Sequence, residues 1–235
     1  MSEPLRVALV AEGPTDKIVI QAAIGSVLGA KSFILKQLQP EESLPFNQLR
    51  GGWGGVYHWC RQASARAGGA LRHDPLFVTF DLLILHLDAD VAQNSYDDAR
   101  IVDAVSDLPC VQPCPPAEDT TNLLRAVLLR WVGEVQLPPK TVLCTPSKST
   151  EAWVLTALYP DDPVVTLGNI ECYATPHLQL QAKPMRGRMV TGGKKIPRMY
   201  RQRGSEICAA WPQVRARCTG AERFSNDFEN AVQPA

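Results

Sequence analysis

Short apolar runs alternate with longer stretches of mixed polarity over the first two thirds of the chain. Leu5–Ala11 (LRVALVA) is a Val-rich run that suits a strand buried on both faces. Glu12-Gly13-Pro14-Thr15 interrupts it. Pro14 or Thr15 then starts a helix over about Asp16–Leu28, with Ile18, Val19, Ala22, Ala23 and Val27 on its apolar side and Gly29 as its stop. Ser32–Gln39 reads as a second strand, Pro40–Pro45 as a loop, and Gly51–Gly55 (GGWGG) as a flexible turn before a helix over Val56–Gly68. Leu82–Leu87 (LLILHL) is the strongest strand pattern, and Asp88-Ala89-Asp90 ends it. Helices are expected over Tyr96–Val105 and Thr120–Trp131, separated by the Pro-rich Pro109–Pro116. Lys140–Thr145 (KTVLCT) is a further strand, and Lys148–Leu158 (KSTEAWVLTAL) the helix after it. Beyond Pro160 the periodicity weakens into loops and a basic stretch, with helices near Ser205–Arg217 and Ala221–Val232.

Strand and helix in alternation predict an α/β fold: a central parallel sheet with crossover helices on its faces. Residues 1–158 form the expected core, and 159–235 a basic loop and helical appendage packed on it. The chain of 235 residues, with 45% hydrophobic and 20% charged residues, is long enough to bury a full core. No apolar run approaches the roughly 18 residues of a membrane span, and the N-terminal residues do not resemble a secretory signal. The expected location is cytoplasmic, and the seven cysteines are read as reduced thiols. Cys110 and Cys114 lack the second close pair that a zinc site needs.

Net charge is zero, but its distribution is uneven. Asp81–Asp119 holds nine acids and one base, whereas Lys183–Arg223 holds eleven bases and two acids. Such a pair of segments suits a site that holds cations beside a polyanion, or two solvated faces that offset each other.

Open parallel sheets bind ligands at the carboxyl ends of their strands. Glu12 follows the first strand, Asp88 and Asp90 follow the LLILHL strand, Asp16 lies one helical turn beyond Glu12, and Glu151 opens the helix after KTVLCT. Singly, each acid has an ordinary use as a helix cap or turn residue. Together they all fall on the predicted ligand edge. Crowded carboxylates raise one another's pKa, and a divalent cation relieves this. Oxygen-only ligands favour Mg²⁺ or Mn²⁺, and two such ions suit phosphodiester hydrolysis, with Lys148 supporting the transition state.

VALVAEGPTDKIVI, LILHLDAD and PSKSTEAWVL, in that order, resemble the Toprim domain, over about residues 5–158. The resemblance is closest to the Toprim half of OLD-family nucleases and to stand-alone Toprim-like proteins of bacterial phage defence. It implies a Rossmann-like Toprim sheet and matches Glu12, Asp88 and Asp90 to the family's Glu and Asp-x-Asp. Asp16, Ser147, Glu151 and Lys148 match the OLD-like additions. Topoisomerase and primase versions carry a further Asp near the Asp-x-Asp pair. Val91-Ala92 stands here instead, which sets this chain apart from them.

Gly187–Gly204 (GRMVTGGKKIPRMYRQRG), with Arg186 just before it, is expected to be a loop that either follows a nucleic-acid backbone through Arg186, Arg188, Lys194, Lys195, Arg198, Arg201 and Arg203, with Tyr200 available to stack on a base, or simply solubilises the surface. No phosphate-binding G-x-x-x-x-G-K-[ST] loop is present, so the chain is expected to carry no ATPase of its own; the resemblance to OLD-family nucleases implies a separate partner ATPase. A second copy of the chain is a further candidate partner. Of four dispersed histidines, His86 lies on the strand leading to Asp88 and is read as a core residue. The expectation is therefore a Mg²⁺- or Mn²⁺-dependent nuclease, an effector of anti-phage defence. The alternatives are a catalytically weak binding or sensor subunit of an ATPase complex, and a phosphatase or nucleotide-processing enzyme.

Overall fold

The structure is a computed structural model that describes residues 3–41, 51–102 and 104–233. Its centre is a four-stranded parallel sheet of order β2-β1-β3-β4, built from β1 (Leu5–Val10), β2 (Phe33–Gln39), β3 (Leu82–His86) and β4 (Thr141–Cys144). β1, β3 and β4 are short and apolar because both faces are covered, whereas β2, at the edge, mixes apolar residues with Lys36, Gln37 and Gln39. Successive side chains point to opposite faces. Val7, Leu9, Leu82, Ile84 and Val142 therefore meet one helical layer, and Ala8, Val10, Leu83, Leu85 and Leu143 meet the other. The architecture is α/β and Rossmann-like.

The first layer contains α1 (Pro14–Leu28), α5 (Thr150–Leu158), α8 (Pro197–Ala209), α9 (Trp211–Arg217) and α10 (Thr219–Ala231). Trp153 of α5 meets Trp211 edge-on at 5.4 Å between ring centres and stacks on Phe224 at 6.3 Å. Truncating such a buried aromatic to Ala costs about 3–5 kcal/mol. The second layer contains α2 (Gly52–Arg66) and α4 (Glu118–Trp131). The short helices α3 (Leu76–Thr79), α6 (Pro163–Thr166) and α7 (Pro176–Gln181) complete the fold, with a hairpin of β5 (Val190–Thr191) and β6 (Lys194–Lys195).

Several expectations are corrected. Gly51–Gly55 is no flexible turn: Gly52 to Gly55 form the first turn of α2, where Gly52 adopts φ 71° and donates its amide to the Glu12 carbonyl at 2.9 Å. The helix expected over Tyr96–Val105 shrinks to a tight turn, Tyr96–Ala99. Arg100 ends it in the left-handed region, and Tyr96 is pinned by bonds to Asp107 (2.6 Å) and Trp131 (2.7 Å). Asp103, within that stretch, and residues 42–45 of the expected Pro40–Pro45 loop lie outside the described residues.

The basic stretch is not a loop. Gly192-Gly193, both at positive φ, make a two-residue hairpin turn, and Pro197 occupies the first turn of α8. The cysteines are not all free thiols either: Cys114 and Cys172 form a disulfide. It ties the Pro-rich connection to the turn before Tyr173, two segments 58 residues apart whose proximity only the folded chain creates.

Candidate metal centre

Adjacent parallel strands end at similar height, so the loops after β1, β3 and β4 meet on one rim. Glu12 leaves β1 two residues after Val10, and Asp88 leaves β3 two residues after His86. The Asp88 amide donates to Glu12 Oε1 at 2.8 Å. Asp88 Oδ1 in turn accepts the Thr150 amide, the first of α5, at 3.1 Å. That amide lies at the positive end of the helix, which favours an anion.

His86 is fully buried, and its Nε2 lies 3.1 Å from Asp88 Oδ1. Neither ring nitrogen has a well-formed hydrogen bond. A buried polar atom without a hydrogen bond is costly, and among the described residues Nδ1 has no other polar contact to offset that cost. Ligand atoms of Glu12, His86 and Asp88 all lie within 4.8 Å of one another, a span one cation could bridge with small side-chain shifts. The candidate ligand set is two carboxylates and an imidazole, where oxygen donors alone were expected. His86 is buried, as expected of a core residue, but faces the carboxylates.

Asp16 and Glu151 also reach this rim, with different partners. Asp16 Oδ1 accepts the Thr150 hydroxyl at 2.8 Å and lies 3.6 Å from Lys195 Nζ. Glu151 Oε2 pairs with Lys195 Nζ at 2.9 Å, and Glu151 Oε1 accepts the Tyr200 hydroxyl at 2.9 Å. Asp90 sits exposed at the lip, its amide donating to the Lys148 carbonyl at 3.0 Å. Lys148 takes a left-handed backbone (φ 63°), which delays α5 to Thr150, and its ammonium forms no ion pair among the described residues. Ser147 is buried and donates to the Glu171 carbonyl at 2.5 Å, a positioning contact for this loop.

The crowding shifts the acids as electrostatics requires. Burial and the charges of Asp88, Asp16 and Asp90 hold Glu12 well above the usual carboxylate range. Burial raises Asp88 too, against the pull of His86. Enclosure of its carboxyl and the Asp88 charge push Asp90 up to about 7. Burial alone would raise Asp16, but Lys195, His86 and the Thr150 hydroxyl outweigh it, and its pKa falls. Burial opposes the charge on His86, yet Asp88 and Asp16 raise its pKa overall. Lys195 likewise loses solvation but is held protonated by Glu151, Asp16 and Asp88.

The residues expected to contact nucleic acid separate into two groups. Arg186, Lys194, Arg198 and Arg201 are exposed. Arg188 is half-buried and donates to the Lys183 carbonyl at 3.1 Å, while Arg203 pairs with Glu206 at 2.5 Å. Lys195 turns inward to the acids. Tyr200, expected to stack on a base, is instead fully buried. The Lys195 placement had a readable signal: a Gly-Gly turn between Val190-Thr191 and Lys194-Lys195 predicts a hairpin, whose alternation sends Lys194 and Lys195 to opposite faces. A groove of 540 Å³ along α1 and α8, lined by Lys17, Ile18, Phe33 and Arg201, includes none of these acids in its lining.

No family model, curated protein or solved structure matches this chain.

Proposed function

We propose that the chain is a metal-dependent phosphodiesterase acting on nucleic acid, with the Toprim-type arrangement that its motifs resemble. The observation that carries this reading is the convergence of Glu12, Asp88 and the buried His86 ring on one rim at the ends of β1 and β3, with His86 Nδ1 lacking a hydrogen bond. Those three residues would hold the ion. Mn²⁺ fits two carboxylates and an imidazole better than Mg²⁺ does, because imidazole is a softer donor than oxygen. When bound, a divalent cation polarises a phosphoryl oxygen and lowers the pKa of water.

The chain's own groups supply the rest. Asp90, exposed and with its pKa pushed up to about 7, can accept or release a proton near neutral pH at the open side of the rim. Lys195 holds a fixed positive charge against Asp16 and Glu151. The exposed Arg186, Lys194, Arg198 and Arg201 offer contacts to phosphates, a mode that carries affinity without base specificity. An anti-phage effector working beside a separate ATPase is the biological setting that the motif resemblance suggests.

The test is incubation with plasmid, single-stranded DNA and tRNA in Mg²⁺, Mn²⁺ or EDTA, alongside Glu12→Ala and Asp88→Ala. Cleavage that needs the metal and disappears in both variants supports the reading. Cleavage retained in both variants removes it. Mn²⁺ binding without cleavage of any polymer favours the sensor-subunit alternative, and turnover of nucleotides alone favours a small-substrate enzyme.

A further inference from the structure

We propose that the site takes one divalent cation rather than two, and that the Lys195 ammonium occupies the position of the second. This rests on the metal-dependent reading above and extends it to the number of ions.

The rim carboxylates divide by partner. Glu12 and Asp88 share the Asp88 amide, the Thr150 amide and the His86 ring, an arrangement in which neither carboxylate is paired with a lysine or arginine among the described residues. Asp16 and Glu151, which a second ion would need, already face a lysine at 3.6 and 2.9 Å. Both Glu151 oxygens are engaged, one by Lys195 and one by Tyr200. A second divalent ion would have to displace the ammonium from Asp16 Oδ1 and Glu151 Oε2, while the buried Tyr200 holds the other Glu151 oxygen in place.

The fold fixes Lys195 there. Val190 pairs with Lys195 across the hairpin and Thr191 with Lys194, so Lys195 shares the face of Val190, which is fully buried. The Ile196 amide donates to the Met189 carbonyl at 2.8 Å and closes the hairpin base immediately before α8. A lysine delivered to an interior face needs acidic partners, and Asp16 and Glu151 are those partners. Their charge is thereby offset by a group that neither exchanges nor depends on metal concentration.

The test counts Mn²⁺ by equilibrium dialysis, reading free ion by electron paramagnetic resonance, with circular dichroism confirming the fold. The wild-type chain is expected to bind one Mn²⁺. Lys195→Met, which keeps the aliphatic stem and frees Asp16 and Glu151, is expected to bind two. Lys195→Met/Glu151→Gln is expected to return to one. Two ions in the wild type, or one in folded Lys195→Met, would overturn the proposal while leaving the metal reading intact. No bound ion in the wild type would overturn both. If Lys195→Met fails to fold, Lys195→Gln takes its place, and the wild-type count still decides.

Discussion

The backbone amide of Asp88 donates to the carboxylate of Glu12 at 2.8 Å, joining the loops that leave two neighbouring strands. Glutamine in place of Glu12 keeps an oxygen acceptor there and removes the charge. Glu12→Gln is expected to fold normally and to lose Mn²⁺ affinity by roughly tenfold or more, each tenfold being about 1.4 kcal/mol. Glu12→Ala also strands the Asp88 amide, so it should be less stable than Glu12→Gln by about 1–3 kcal/mol. Calorimetric metal titration and urea unfolding read the two effects separately. Equal stability of the two variants would show that the bond contributes nothing.

His86 makes the predicted donor set mixed rather than all-oxygen. His86→Asn should weaken Mn²⁺ binding by roughly tenfold or more, and Mg²⁺ binding by less, because oxygen donors suit Mg²⁺ better. Parallel titrations with both ions check this. An equal loss for the two metals would place the ring outside the coordination sphere.

Stability of the metal-free protein should fall between about pH 5.5 and 8. Glu12, Asp88 and Asp90 have folded-state pKa values above their ordinary ones, Asp90 reaching about 7. Groups raised on folding stabilise below their unfolded values and lose that contribution as pH rises through the folded ones. His86 is also raised and acts with the same sign. Asp16 and Asp162 are lowered, so their contribution is complete once the pH exceeds ordinary carboxylate values. Differential scanning calorimetry in EDTA should show a falling Tm over this window and a flatter profile for Asp90→Asn. Added Mn²⁺ should restore more at pH 8 than at pH 5.5. A Tm that rises with pH in EDTA would contradict the electrostatics of the cluster.

The Cys114–Cys172 bond closes a loop of 58 residues. Constraining the unfolded chain in this way is worth about 2–4 kcal/mol. Reductant should lower the unfolding free energy by that amount in the wild type and leave Cys114→Ser/Cys172→Ser unaffected. Alkylation and mass spectrometry check the pairing: five cysteines should label under native oxidation, once unfolded, and seven after reduction.

Local pattern carried much of this molecule. The apolar runs at Leu5, Leu82 and Thr141 marked doubly covered strands because a parallel sheet leaves no polar face, and the acids that follow them therefore pointed to one rim. Patterns with two opposed contributions were harder to read. Charges on Arg198, Arg201 and Arg203 masked the helical spacing of Tyr200 and Ile207, so the start of an amphipathic helix looked like a solvated loop. Glycines of Gly51–Gly55 suggested a turn, yet α2 begins among them, and its Trp53 stacks on Trp131 while Tyr57 meets Trp131 edge-on.

By itself the sequence determined the parallel sheet and the edge on which Glu12, Asp16, Asp88, Asp90 and Glu151 would gather, since burial period and loop position are local properties; the strand order β2-β1-β3-β4 came from the folded chain. Tertiary structure alone decided that His86 joins those acids, that Lys195 and Tyr200 arrive from a segment well over forty residues beyond Glu151 to neutralise and anchor it, and that Cys114 meets Cys172. Each of these depends on distances between segments remote in the chain, and such distances exist only once the helical layers have closed on the sheet.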